Sequence, residues 1–458
     1  MRLSRYTLRV DLDKQTYLLY NTYSGSLAYI DSESDPILQK SLQNLKLDAD
    51  DQDIIDELEE AKILRKDDVD EDSEIREWYH EIRKNEGRMH ITVLTTNACN
   101  MACAYCFEGE ALRGSHMPPH VARALISWTR QKLIEIKPNL LSVRFFGGEP
   151  FVNPKGLLDL ARNFRQLTEE TQVNLHMMAT TNGSHLPREV IEELVQLGLK
   201  TLRVTFDGDE ERHNEKRPLK NGKNSFQTIW KNLEAISDLV QFDLAVNAEP
   251  EDVPSISQLL PKLGQSLFKN SIRQLNIKPV NHFSEALHDL DLAVTPQIAH
   301  HISRWRGLVT KAGFKVSSAL ENKPCQIHQD THFVVDPKGD LYPCESAIGR
   351  TSAVIGSIFL TTASSKKEEA YEFFRQYSPL DHPKCSTCAY FPVCGGGCRL
   401  ATFSLDRKEE TDIHCPIELH QALLPSEIRK QFLNIKETEE RKGVTQNENN
   451  EKEEGCNS

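Results

Sequence analysis

No stretch of this 458-residue chain carries 18 or more consecutive apolar residues, so no segment is expected to span a membrane. The N-terminus, Met-Arg-Leu-Ser-Arg-Tyr-Thr, lacks the apolar core of a signal peptide. Excess positive charge is missing too. The chain sets 55 Lys and Arg against 68 Asp and Glu, a net charge of −13, which disfavours nucleic acid as the main partner. Eleven cysteines without an export signal argue against disulfides and for metal or redox chemistry in a reducing cytoplasm. The length predicts two or three domains around a large core.

Residues 1–85 read as one small unit. Thr7–Val10, Tyr17–Tyr20 and Leu27–Ile30 are short strand candidates, with a turn at Ser24-Gly25. Helical stretches come next over Pro36–Leu45 and Asp51–Ala61, then Ile63-Leu64 closes the block, an order expected of a winged-helix-like domain. An acidic helix over Asp67–Glu86 links this unit to the rest of the chain. From 86 to 310 the chain alternates strand and helix. The strand candidates are Ile91–Leu94, Ser142–Phe146, Leu175–Thr180, Thr201–Phe206, Phe242–Asn247 and Gln274–Lys278. Six such units predict an α/β fold, a parallel sheet closed into a partial (β/α)6 barrel whose active site lies at the C-terminal strand ends. Residues 311–425 are short pieces rich in Cys, Gly and Pro, a segment that needs metal staples. Residues 436–458, rich in Glu, Asn and Lys without periodicity, predict a disordered tail holding Cys456 as an exposed thiol.

The chemistry is concentrated just after the first barrel strand, in Thr-Thr-Asn-Ala-Cys-Asn-Met-Ala-Cys-Ala-Tyr-Cys. Cys99, Cys103 and Cys106 can hold three irons of a [4Fe–4S] cube and leave the fourth without a protein ligand. An open iron is a place to bind and reduce something, which points to catalysis rather than structure. This spacing resembles that of the radical S-adenosylmethionine (SAM) enzymes, and the resemblance extends over residues 90–420. It implies SAM as cofactor, its amino and carboxylate groups chelating the open iron. Gly147-Gly148-Glu149, at the end of the second strand, resembles the family's GGE motif, where glycine backbone and carboxylate take the SAM ammonium. Asn182 ends the third strand. Thr205-Phe206-Asp207-Gly208 with His213 and Arg217 resembles the segment in which Thr205 and Arg217 would hold the SAM carboxylate, Arg through its two-pronged fork. Tyr105 would lie against the adenine.

Seven further cysteines read Cys325, Cys344, Cys385-x2-Cys388-x5-Cys394-x3-Cys398 and Cys415. Zinc is the plain alternative, but a zinc ribbon separates its two pairs by about 15–20 residues, and only five lie between Cys388 and Cys394. The pattern resembles the SPASM domain, which implies two auxiliary [4Fe–4S] clusters. One would use Cys385, Cys388, Cys394 and Cys415, the other Cys325, Cys344 and Cys398, the latter with an open iron or with His328 or His332.

SPASM enzymes mostly modify peptides, and the N-terminal unit is similar to leader-binding domains of ribosomal-peptide maturases. That implies a precursor peptide pairing with an exposed strand edge, thioether crosslinking as the leading reaction, and a flavodoxin or ferredoxin as electron donor. The acidic run Asp48–Glu60 suits a basic leader or a solvated helix face alike. Two alternatives stand. In anaerobic sulfatase maturases, making formylglycine, a carboxylate after the second SPASM cysteine acts as base, and Glu345 holds that place as a catalytic candidate. A zinc or Fe–S regulator with a DNA-binding head is opposed by the net acidity.

Overall fold

The computed structural model describes residues 1–85, 87–106, 114–280, 296–322, 324–359, 365–404 and 413–454. The N-terminal unit opens with β1 (Arg2–Leu3), β2 (Thr7–Asp11), β3 (Tyr17–Asn21) and β4 (Leu27–Ile30). It continues through α1 (Ser34–Leu42), α2 (Ala49–Glu60), β5 (Leu64–Arg65) and α3 (Glu71–Lys84), which carries the acidic linker sequence. β2, β3 and β4 form an antiparallel sheet in that order, and β1 pairs with β5. Alternation along β3 sends Tyr17 and Leu19 to the side of α1 and α2, while Leu18 and Tyr20 join a second cluster with Leu424 and Ile428. Asp48 and Asp70 cap α2 and α3 by accepting from backbone N–H groups of their first turns.

The barrel comes next as β6 (Arg88–Thr96), α4 (Pro119–Ile136), β7 (Leu140–Gly147), α5 (Pro154–Thr171), β8 (Asn174–Thr181), α6 (Arg188–Leu197) and β9 (Leu199–Thr205). After β9 come α7 (Glu210–Lys216), α8 (Phe226–Ile236), β10 (Gln241–Ala248), α9 (Val253–Gln265), β11 (Ile272–Pro279) and α10 (Pro296–Lys311). All five pairings from β6 to β11 are parallel. Period-2 burial sorts the strands: Leu141, Val143 and Phe145 of β7 join the apolar core, with Phe145 against Phe164 of α5, and Ser142, Arg144 and Phe146 take the opposite, lumen face.

The barrel does not close on itself. β6 pairs instead with β12 (His332–Val335), and the sheet runs on through β13 (Asp340–Tyr342) and β14 (Gly356–Ser357) to nine strands. The remaining helices are α11 (Ser365–Arg375), α12 (Pro383–Ser386), α13 (Phe391–Cys394), α14 (Arg399–Ser404) and α15 (Ile417–Glu454). α15 corrects one expectation: the chain beyond residue 436 continues the helix to Glu454, since Glu, Lys and Gln favour helix even without an apolar stripe. Cys456 lies outside the described residues. Among them, no helix is long and apolar enough to cross a membrane.

The N-terminal unit docks on the cysteine-rich segment. Tyr6, Ile75, Tyr79, Leu380, Cys385 and Phe391 form one buried cluster, flanked by Tyr23, Trp78 and Cys388. Trp78 and Tyr79 meet Phe391 edge to face, each such pair contributing ~1 kcal/mol beyond its buried area. Thr22 Oγ1 donates to Ala389 O at 2.6 Å, and Arg76 pairs with Asp381 at 2.9 Å.

Candidate active site

The loop after β6 is clamped from both sides. Thr96 Oγ1 accepts from Ala98 N at 2.9 Å, while the carbonyls of Thr96 and Ala98 accept from Gly148 N and Glu149 N at 3.1 and 2.8 Å. This approach requires glycine at position 147, where φ is +134° and a Cβ would sit 2.1 Å from Thr96 O. On the far side, Ala102 N and Ala104 N donate to the carbonyls of Pro218 and Lys216 at 2.9 and 3.1 Å. Cys99, Cys103 and Cys106 therefore ride a loop held between the end of β7 and the segment after α7. Met101 N donates to Cys99 Sγ at 3.4 Å, and Asn182 Nδ2 lies 3.9 Å from the same sulfur. Burial pushes the Cys99 thiol up to about 11 and raises Cys103. Among the described residues, no three His, Cys, Asp or Glu side chains converge as ligands of a single ion do. A four-iron cube instead takes each thiolate on a different iron.

Glu149 departs from expectation. Its side chain is fully buried. One carboxylate oxygen accepts from Phe151 N at 3.0 Å and Thr181 Oγ1 at 2.8 Å, and the other from Asn182 N at 2.6 Å. The carboxylate ties the ends of β7 and β8 together, its two oxygens taken by three protein donors. Burial outweighs these hydrogen bonds and pushes its pKa up to about 7. Asn182 donates to Asn100 Oδ1 at 2.8 Å, so it braces the cysteine loop.

The ends of β9 and β10 assemble a buried polar group. Arg217 Nη1 donates to Tyr105 Oη at 2.6 Å and lies 3.7 Å from Asp207 Oδ2. Tyr105 donates to the same Asp207 oxygen, and Asn247 Nδ2 donates to Tyr105 Oη at 3.1 Å. Arg217 Nε is buried and has no hydrogen-bond partner, with Cys103 among the neighbours that hold the guanidinium charged. A free donor beside the thiol loop suits an anionic group such as a carboxylate, so these residues fit SAM. Thr205, half-buried, ends β9 nearby. His213 is structural: its Nδ1 accepts from Asp207 N at 3.1 Å, its Nε2 meets Ser225 Oγ at 3.0 Å, and burial holds it neutral, pushed down to about 3. Asn247 escaped the sequence reading; its place at a strand end was the available signal.

The outer cysteines form two groups. Cys385, Cys388, Cys394 and Cys415 line one cavity with Tyr390, Phe391 and His420. Gly397, at φ +79°, lets the chain pass where a Cβ would sit 2.1 Å from His414 O, which brings Cys415 to the others. Burial pushes Cys385 up to about 12 and Cys394 up to about 11, neighbouring thiols adding to the shift. Cys325, Cys344 and Cys398 are mutual electrostatic neighbours between the barrel and β13, with Glu345 and Lys278 beside Cys325. The Nε2 atoms of His328 and His332 are buried without a hydrogen-bond partner. His328 Nδ1 meets Tyr79 Oη at 2.9 Å, His332 Nδ1 faces Pro343 O at 3.2 Å, and the charged neighbours of both are arginines, Glu345 or His90. Glu345 accepts from Arg144 at 2.7 Å and Thr92 Oγ1 at 2.9 Å. Arg144 and His332 hold its pKa below the ordinary carboxylate value despite burial, and a clamped, weakly basic carboxylate is poorly matched to take a proton near neutral pH.

The family model described as "Radical SAM superfamily" matches residues 93–246, a span containing the three-cysteine loop, Glu149, Thr205 and Arg217. The chain is 21% identical over 445 residues to radical SAM cyclopropyl synthase TigE of Paramaledivibacter caminithermalis, covering 86% of this chain and 89% of that protein. It is 24% identical over 348 residues to PqqA peptide cyclase of Bradyrhizobium diazoefficiens, covering 72% and 86%. The structure of native anSMEcpe with bound AdoMet and Cp18Cys peptide superposes with a TM-score of 0.55 at 16% identity, covering 76% of this chain and 98% of that one. The barrel is a radical SAM fold, and the family implies SAM and a [4Fe–4S] cluster.

Proposed function

We propose that this radical SAM enzyme modifies a ribosomally made precursor peptide, joining a cysteine sulfur to a carbon of another residue as a thioether. Cys99, Cys103 and Cys106 would hold the cluster, the Gly147–Gly148 backbone would meet the SAM ammonium, and Arg217 with Thr205 would hold its carboxylate. When bound, cluster and SAM supply a 5′-deoxyadenosyl radical able to take hydrogen from an unactivated carbon. Tyr105, Asp207 and Asn247 hold the Arg217 fork in place, and its Nε is left without a protein partner. Cys385, Cys388, Cys394 and Cys415 would hold one auxiliary cube, and Cys325, Cys344 and Cys398 a second with one iron free of protein. A flavodoxin or ferredoxin would supply the electron.

The observation that carries the reading is the edge strand β4 of a sheet that packs, through Val10, Leu18 and Tyr20, on Leu424, Ile428 and the Tyr390 and Val393 side chains between Cys388 and Cys394. An extended peptide can add to such an edge by backbone hydrogen bonds and run on toward the barrel mouth. A relative named as a peptide cyclase and a neighbour solved with a peptide support the same class of substrate. The clamping of Glu345 speaks against formylglycine formation through that carboxylate.

The test is anaerobic reconstitution with a short cysteine-bearing peptide encoded beside this chain. The expected result is iron and sulfide for three cubes, 5′-deoxyadenosine, and a peptide lighter by two hydrogens whose cysteine resists alkylation. An unmodified peptide beside steady 5′-deoxyadenosine formation, or conversion of the cysteine to an aldehyde, overturns the reading.

A further inference from the structure

Two histidines near the end of the cysteine-rich segment, His414 and His420, keep a buried Nδ1 without a hydrogen-bond partner, and nothing above uses either. They differ in place. His414 is not on the wall of the cavity formed by Cys385, Cys388, Cys394 and Cys415, whereas His420 stands in that wall with all four cysteines. The local sequence puts it there. Pro416 leads the chain from Cys415 into α15, and His420 N donates to Pro416 O at 3.2 Å to close the first turn. A helical side chain leans back toward the N-terminus, which returns this ring over the turn that follows Cys415. The ring stacks on Tyr390, with centroids 6.4 Å apart and planes 24° from parallel.

Among the described residues, neither ring nitrogen of His420 has a hydrogen-bond partner. Burial keeps the imidazole neutral, its pKa pushed down to about 4, so the ring carries one N–H and one lone pair. Phe391, Ile413, Pro416 and Ile417 make much of the wall apolar, and an N–H held there without an acceptor is costly. A cube on the four thiolates would bring that acceptor, because its sulfurs are anionic. The orphaned donor is therefore a second feature, besides the convergence of the four thiols, that fits the cavity to a cluster. Lys384 also lines the cavity but is exposed to solvent.

We propose that His420 donates its ring N–H to a sulfur of the cube held by Cys385, Cys388, Cys394 and Cys415, and thereby raises the reduction potential of that cube. The proposal rests on the reading of this group as an auxiliary [4Fe–4S] cluster and adds the residue that sets its potential. A hydrogen bond to sulfur is stronger on the more negative form of the cube, the one that has taken up an electron. One electron enters from the reductant and the proton stays on the imidazole in both states. The competing role is packing alone, the ring serving only as a partner for Tyr390.

The experiment is a mediated redox titration followed by electron paramagnetic resonance, in protein whose Cys99, Cys103 and Cys106 are replaced by Ala so that the outer groups alone carry iron. The signal to follow is the one missing when Cys394→Ala is added. His420→Phe keeps the stacking and the apolar contacts and removes the donor. It should lower the equilibrium constant for reducing this cube ~10-fold, a shift of ~59 mV to lower potential for one electron, with iron, sulfide and the other signal unchanged. His420→Asn or His420→Gln, returning an N–H near the Nδ1 or the Nε2 position, should recover part of the shift. In the wild type, labelling histidine with nitrogen-15 should add a nitrogen coupling to the double-resonance spectrum of this reduced cube, absent in His420→Phe. An unmoved potential in His420→Phe overturns the proposal, as does equal loss of iron in all three variants, which marks a packing role. Absence of the nitrogen coupling in the wild type overturns it without any variant. A wild type with no iron–sulfide cube on these four cysteines removes the auxiliary-cluster reading as well; an intact cube with an unmoved potential removes the His420 proposal alone.

Discussion

Glu149 offers a direct test of how the glycine–glycine–glutamate turn works. Its buried carboxylate accepts three hydrogen bonds, and its pKa stands at about 7 against an ordinary 4.5. That gap corresponds to about 3 kcal/mol. Because the folded value is the higher one, the native state binds a proton that the unfolded state has released. This contribution is therefore full below pH 4.5 and is lost as pH rises through about 7. Glu149→Gln removes the titration and turns an amide NH2 toward Asn182 N–H, costing ~1–3 kcal/mol for the mismatched donors. At pH 5 that cost is offset by only ~0.8 kcal/mol, because the unfolded carboxyl is already partly ionised. At pH 8 the wild type also carries its ionised burial penalty, so between pH 5 and pH 8 the gap between variant and wild type should close by about 2.5 kcal/mol. Hydrogen exchange at the Phe151 and Asn182 amides reads this locally as about a hundredfold change in relative protection, after correction for intrinsic rates. Glu149→Ala should strip protection from both amides at either pH. A Gln variant whose deficit is independent of pH, or an Ala variant as mild as Gln, would refute the assignment of this carboxylate as a buried, protonatable tie.

Replacing Cys99, Cys103 and Cys106 together by Ala should abolish 5′-deoxyadenosine formation yet keep the iron of the outer cysteine groups; retained SAM cleavage contradicts the site. Gly147→Ala drives a methyl into Thr96 O at a backbone angle that disfavours side chains, so iron loading at the three-cysteine loop should fall while the outer iron persists, as measured by Mössbauer or iron analysis. Trp78→Ala removes an edge-on partner of Phe391 and should release iron from the Cys385 group first; undiminished iron would show that the aromatic cluster does not support that loop. Of Ala28 and Tyr29 in β4, one N–H faces β3 and the other faces away. Proline at the outward-facing position should weaken peptide binding without slowing uncoupled SAM cleavage, and unchanged affinity there would remove strand addition as the docking mode.

Much of the barrel was legible because its determinants are short-range. Strand periodicity, glycine at a strand end and cysteine spacing each lie within a dozen residues, and the six strands fall where the pattern places them. What escaped depends on closure. Glu149 meets Thr181 and Asn182 more than 30 residues away, so the motif that names the carboxylate does not say whether it faces ligand or protein. The N-terminal unit tells the same story at larger scale. Thr22 meets Ala389 across 367 positions and Arg76 meets Asp381 across 305, contacts without local periodicity. Their consequence is functional: deleting residues 1–85 would expose Leu380, Cys385 and Phe391 to water, so such a truncation would report cluster loss as readily as lost peptide recognition. A single proline on β4 separates the two, because it alters the edge and leaves the aromatic seat of the cysteine loop in place.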